Sequence, residues 1–393
     1  MHDVIVVGGG PGGLYTAARL AGAGFDVLLL EEHATTGQPV HCTGVLAEEA
    51  FDEFGLSRAS ILNPLSTARF FSPGGLSISY TTPSTEALVV DRALFDQHLY
   101  DQARAAGATV RLDARVASID VTPDDVIVMA GGATFRTRAC ILACGANYSL
   151  HRRLGLGMPQ SYLRTAQLEL PATAERDVEV HFGNDVAPRG FAWVVPVQRG
   201  GSRHARVGLM CDSDASQYFQ KFVRRASDAW GLDIDARVVP RQKLLPLAPL
   251  ERTFADRVIA VGDAAGIVKA TTGGGIYYSL VSASIAADVL GQALHRNMLD
   301  AAQLARYQKA WQRRLGSELK AQYSLRELAE RMDDADIEAL FDLAQTNGVM
   351  PIVRRTARFN QHRDLIVSLL KHPPARRLLF KELASRSVVS ALG

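Results

Sequence analysis

Near its start the chain runs Val4-Ile5-Val6-Val7-Gly8-Gly9-Gly10-Pro11-Gly12-Gly13, a short β-branched strand that turns on glycine. A run this apolar reads as a buried parallel strand. The segment after it, Leu14 to Gly24, is rich in Ala and Leu and predicts a helix, and a second apolar run, Phe25 to Leu30, ends on Glu31 and Glu32. Gly8, Gly10 and Gly13 have the spacing of a dinucleotide-binding turn, with a physical role at each position: a tight turn, close backbone approach to a pyrophosphate, and close helix–strand packing. Pro11 and Gly12 open the helix, whose N-terminal N–H groups favour phosphate. Glu31, with Glu32 beside it, stands where a carboxylate would accept hydrogen bonds from an adenosine ribose. A glycine turn alone is common. The strand before it, the helix after it and the acid favour a dinucleotide over a plain βαβ turn, without separating FAD from NAD.

The 393 residues suffice for a large core and for two or three domains. With 47% hydrophobic and 21% charged residues the composition is that of a soluble globular protein. A net charge of +2 gives no argument for nucleic-acid binding. Cys42, Cys140, Cys144 and Cys211 show no paired metal spacing, so neither a metal site nor a disulfide scaffold is expected. No signal peptide precedes the first strand, and no apolar run reaches the ~20 residues that span a bilayer. The expected location is cytoplasmic, with peripheral membrane contact as an option.

The pattern along the chain predicts an α/β protein. A Rossmann-type FAD-binding domain is assigned to 1–65, 91–165 and 250–295, an inserted antiparallel-sheet substrate domain to 66–90 and 166–249, and a C-terminal helical region to 296–393. Helices are expected at Leu46 to Phe54, Asp91 to Ala106 and Ala215 to Trp230, and strands at Thr109 to Ile119, Val126 to Met129 and Phe191 to Val197.

The cofactor is named by a second glycine turn. The strand Arg257 to Val261 ends in Gly262-Asp263, and Thr271-Thr272-Gly273-Gly274-Gly275 then leads into a helix from Ile276. An acid after such a strand suits the ribityl hydroxyls of a flavin. The glycines let the backbone lie against the isoalloxazine, and the helix aims its N-terminus at the pyrimidine carbonyl, where reduced flavin carries negative charge. Together with the first turn this reads as FAD.

The order GGGPGG, EE, PVHCTG, ILACGANYSLHRRLG, RGFAWVVPV and VGDAAGIVKATTGGGIYYSL resembles the geranylgeranyl reductase family, within the p-hydroxybenzoate-hydroxylase-like flavoproteins, over about residues 1 to 295. The resemblance implies FAD at Gly8, Gly10, Gly13, Glu31 and Asp263, and a long apolar cavity for a polyprenyl chain above the flavin. Phe191, Trp193 and Val195 share one face of a strand, with Trp193 expected in the cavity wall; ordinary sheet core is the alternative. Cys42 matches a family cysteine near the flavin, which implies a thiol beside the reacting alkene; a small buried residue is the alternative. The expected reaction saturates isoprenoid double bonds with a hydride from flavin N5 and a proton from Cys42, Tyr277 or Tyr278. NADPH, ferredoxin or another donor would reduce the flavin.

Two positions depart from the family pattern. Cys144-Gly145 stands where the wider class has Asp-Gly, which weakens the case for NADPH as direct donor. Val197 stands where relatives often carry a lysine, with Arg189, Arg199 and Lys269 as possible replacements for head-group contact. A flavin monooxygenase or halogenase, and a non-catalytic electron-relay flavoprotein, are the alternative functions. From Pro351 onward nine Lys/Arg face two acids, a basic amphipathic pattern that suits either an anionic lipid surface or a solvated helical face.

Overall fold

The computed structural model describes residues 1–234, 239–346 and 348–380. Lys381, Glu382 and Arg386 of the basic stretch lie outside the described residues. The N-terminal strand His2–Val7 sits between Val27–Leu30 and Ala133–Leu142, both parallel to it. The parallel order continues through Thr109–Arg111 on one side and Val258–Ala260 on the other. With both faces covered, Val4 to Leu30 carries almost no exposed apolar surface in its strands. The helix Pro11–Gly22 and the helix Ile276–Arg296 pack together on this sheet, and Arg19 crosses between them to Ser284 and Asp288 at 2.8 Å. The carboxyl ends of the central strands thus converge where open α/β sheets bind ligands.

A seven-stranded sheet runs in the order Arg241–Pro246, Tyr162–Pro171, Ser202–Cys211, Phe191–Arg199, Val178–His181, Thr67–Phe71, Ser77–Thr81. All its pairings are antiparallel except Val178–His181 with Thr67–Phe71. The helix Ala215–Trp230 covers one face, burying Phe219, Phe222, Val223 and Trp230 against Ala166, Val194, Val207 and Leu209. Phe191, Trp193 and Val195 occupy the opposite face and look into the molecule.

Some elements differ from expectation. The helix expected from Leu46 begins only at Glu49, because Val45–Ala47 pairs as a strand with Ala87–Val90. Ala87–Val90 itself belongs to a three-stranded sheet with Val45–Ala47 and Ile61–Leu65, apart from the sheet to which the sequence reading assigned it. The strand expected over Thr109 to Ile119 is two, Thr109–Arg111 and Val116–Val121, broken where Asp113 turns left-handed at φ 51°. From Ala301 onward the described chain is helical, as expected: Ala301–Ala329, Asp334–Thr346, Val349–Thr356, Arg363–Lys371 and Pro373–Leu379.

Candidate active site

A cavity of about 1270 Å³ runs from the N-terminal glycine turn to the C-terminal helices. It exceeds the roughly 300–1,000 Å³ of a site for one small molecule. One end is polar and built by the converging strands. Gly8 takes φ 107°, and a Cβ there would strike the Ala143 carbonyl oxygen at 2.4 Å. A Cβ on Gly13 would lie 2.0 Å from the Gly8 carbonyl oxygen, so helix and strand touch only because both are glycine. Gly10 faces open space, and no side chain caps the helix it begins. Glu31 accepts the Gly9 N–H at 2.6 Å and the His33 N–H at 3.0 Å, which fixes the carboxylate beside the turn. Glu32 also lines the cavity and lies 3.6 Å from Arg115.

Further along, Asp263 sits in the turn Gly262–Ala265, and its Oδ1 would lie 2.8 Å from a Cβ on Gly275. Asp263, Gly273, Gly274, Gly275 and Ile276 all line the cavity, and the helix from Ile276 likewise has no side-chain cap. Gly262 does not line it: with φ 58° it packs against Ser279, and its N–H donates to Ser282. Two uncapped helix N-termini, an acid at each strand end and a backbone without side chains between them fit a dinucleotide with a flavin head.

The residues match the FAD binding domain family over 1–314. The chain belongs to that family. FAD is its cofactor, and the two glycine turns, Glu31 and Asp263 have the arrangement such a cofactor needs. The chain is 29% identical over 359 residues to a digeranylgeranylglycerophospholipid reductase of Methanocaldococcus jannaschii, covering 86% of this chain and 90% of that one. A solved geranylgeranyl bacteriochlorophyll reductase-like protein from Thermoplasma acidophilum shares the fold at TM-score 0.84 and 22% identity, with 98% of each chain covered. The halogenase PltM, solved in complex with FAD, shares it at TM-score 0.68 and 17% identity, with 96% of this chain and 85% of that one covered.

The other end of the flavoprotein's cavity is apolar. Phe191, Trp193 and Val195 from the large sheet line it, together with Phe341, Leu365 and Leu369 from the C-terminal helices. The sequence pattern predicts helices here, with a basic face from Pro351 onward. Their apolar positions at helical spacing were readable, but spacing does not say that the face closes a cavity.

Cys42 lines the cavity and its Sγ accepts the Gly44 N–H at 3.3 Å. Its loop is pinned from the large sheet: Thr43 Oγ1 donates to Gln167 at 2.5 Å, and the buried Arg206 donates to the Thr43 and Val90 carbonyls at 2.5 and 2.9 Å. Beside Cys42 lies Arg92, paired to Asp96 at 2.8 Å. Burial opposes the charge of Arg92, but Asp96 and Cys42 outweigh it and hold the guanidinium above its ordinary range. Burial and the neighbouring Lys243, Arg241, His33 and Arg92 push His41 below the ordinary imidazole range. Arg92 and His41 escaped the sequence reading, since nothing in one chain marks a helix-start arginine as facing a cavity.

The tyrosines are a correction. Tyr277 donates to Glu53 at 2.7 Å and Tyr278 to the Asn360 carbonyl at 3.0 Å, and neither lines the cavity. Burial and the Glu53 carboxylate push the Tyr277 phenol up to about 12. The helix beginning at Ile276 turns these residues onto its packed side, so the first helical turn brings Ile276, not the tyrosines, to the cavity. At the two departures, desolvation raises the Cys144 thiol to about 12, leaving a neutral group where the class has an acid. Val197 is fully buried beside Val89 and Val195. Of the possible replacements, Arg189 pairs with Asp212 and Arg199 with Glu169 and Asp91; only Lys269 lines the cavity.

Proposed function

We propose that this flavoprotein saturates carbon–carbon double bonds of a geranylgeranyl or other polyprenyl chain. The carrying observation is the continuity of one cavity, polar and glycine-lined at the FAD end and apolar between Trp193 and the C-terminal helices. The names of the curated relatives give the same substrate class. When bound, FAD supplies hydride at N5. The chain's own part is to hold an alkene in the apolar half against the Gly273–Gly275 wall, to exclude water with Phe191, Trp193 and Phe341, and to deliver a proton. Cys42 is the proposed proton-delivering or positioning group, because it remains at the cavity while both tyrosines turn away.

The helices that wall the apolar half turn Arg354, Arg355, Arg363 and Lys371 outward, which suits contact with an anionic lipid surface during chain uptake. Among the described residues no helix is long and apolar enough to cross a membrane. The test is anaerobic. Dithionite-reduced protein is given geranylgeranyl diphosphate or a digeranylgeranyl glycerophospholipid, and mass spectrometry reads gains of two mass units per bond. No gain with either substrate, alongside oxygen-dependent product formation, would replace this reading by a monooxygenase. Substituting NADPH and then reduced ferredoxin for dithionite identifies the donor.

A further inference from the structure

Lys269 is a buried amine that the reduction chemistry above does not use. It lies on the loop between Asp263 and the second glycine turn, 3% exposed, and lines the cavity. Its side chain runs beneath that turn: a Cβ on Gly274 would lie 3.0 Å from its Cε and 3.4 Å from its Nζ, and its carbonyl accepts the Gly273 N–H at 2.8 Å. The amine therefore shares a wall with the uncapped N-terminus of the helix Ile276–Arg296, at the end of the cavity assigned to the flavin head.

Its surroundings accommodate both protonation states. Nζ donates to the Phe359 carbonyl at 2.9 Å and to Asn360 Oδ1 at 2.8 Å. Two acceptors satisfy the two N–H bonds of a neutral amine, and the Phe359 ring, 4.4 Å from Nζ, faces the third donor of an ammonium. The charged and titratable neighbours come from four elements. Glu318 reaches in from the helix Ala301–Ala329, and Glu49 from Glu49–Phe54 through Asn360 at 2.9 Å. Tyr278 lies on the helix Ile276–Arg296, with its ring 5.9 Å from Nζ, and His362 lies on the segment after Asn360. Among the described residues no carboxylate forms an ion pair with Nζ. Burial, opposed only in part by Glu318 and Glu49, lowers Lys269 to about 7.

We propose that Lys269 is the charge-compensating group of the flavin site, its amine taking up a proton when the bound FAD is reduced. Two electrons and one proton convert oxidised FAD to its reduced anion. The new negative charge favours the ammonium form of Lys269, so a second proton moves from solvent to Nζ, and reduction carries two protons for two electrons. The amine returns the proton to solvent when the flavin is reoxidised. The inference rests on FAD at this site and not on the prenyl substrate.

The experiment is a spectroelectrochemical titration of the FAD-loaded protein, without substrate, from about pH 7 upward. Each proton coupled to a two-electron reduction shifts the midpoint by about 30 mV for each tenfold change in proton concentration. Wild type is expected near 60 mV per pH unit over the first units above neutrality. Lys269→Met and Lys269→Arg should both fall to about 30 mV per pH unit, the first with a lower midpoint and the second, permanently charged, with a higher one. A wild-type slope of about 30 mV, or a two-proton slope surviving in both variants, overturns the proposal. If the Met variant fails to hold FAD, the Arg variant alone decides, since its slope must drop. Prenyl saturation by a wild type with the one-proton slope would remove this inference and leave the function. The two-proton slope in a protein that saturates no prenyl chain would do the reverse.

Discussion

Trp193 lies flat across Gly208, its partner on the neighbouring strand: a Cβ on Gly208 would meet the indole at 2.5 Å. The absent side chain is what seats the ring in the cavity wall. Gly208→Ala should push the indole toward the cavity, costing about 1–3 kcal/mol of stability through overpacking. With a prenyl substrate KM should rise on the order of tenfold, the equivalent of roughly 1.4 kcal/mol of lost contact. Retention of FAD should not change, because the glycine turns are untouched. Steady-state kinetics beside flavin absorbance checks both halves.

Tyr277 is buried and donates to the more exposed Glu53 at 2.7 Å, and Glu53 is also held by Arg314 at 2.6 Å. Tyr277→Phe should therefore leave the rate of chain saturation within about twofold and cost about 0.5–1.5 kcal/mol of stability, the net value of one hydrogen bond. A large loss of rate at unchanged stability would restore the tyrosine to the chemistry.

The polar half of the site was legible because each of its parts is a local signal. Gly8, Gly10, Gly13, Glu31 and Asp263 follow strand ends and Gly273 to Gly275 precede a helix start, where chain order fixes place. Trp193 was legible by strand alternation. Tyr277 was misread because a helix start fixes a residue's height but not its face, and one step of about 100° separates Ile276 from its neighbour. The apolar wall from Phe341, Leu365 and Leu369 depends on how the helices Asp334–Thr346 and Arg363–Lys371 come to lie beside Phe191 and Trp193, far earlier in the chain, and no local pattern carries that. Lys269 was noticed as a cation, but its burial depends on Phe359 and Asn360, 90 and 91 positions away.

Gly13 and Gly8 approach too closely for any side chain. Gly13→Ala places a methyl 2.0 Å from a backbone oxygen that cannot swing aside. The helix must lift from the strand, and the uncapped N–H groups at its start move with it. The variant should lose most of its bound flavin and melt at lower temperature, read by absorbance and by a thermal scan with and without added FAD.

Arg206, 1% exposed, ties the Cys42 loop to the large sheet through the Thr43 carbonyl and is itself paired to Glu169 at 2.7 Å. Arg206→Met leaves Glu169 with Arg199 but removes both carbonyl contacts. Leaving the part-buried Thr43 carbonyl and the buried Val90 carbonyl without their donor costs about 1–3 kcal/mol. Denaturant unfolding should show that loss, and Cys42 should react faster with a thiol reagent once its loop is released.

Glu179 supplies the pH dependence that belongs to the large sheet. Burial would raise its carboxyl, but hydrogen bonds from His181 at 3.1 Å, Trp230 at 3.1 Å and Arg176 at 2.9 Å outweigh it and hold the group near 2, against an ordinary 4.5. A carboxyl depressed in the folded state stabilises fully above its unfolded value, and the contribution fades as pH falls toward the folded one. The window is thus about pH 4.5 down to 2, and a shift of this size corresponds to about 3 kcal/mol. Glu179→Gln removes the carboxylate, so it should destabilise the protein at neutral pH and flatten the acid limb of its stability curve. Urea unfolding of both proteins across that window measures the difference, and parallel acid limbs would assign the sensitivity to other carboxylates.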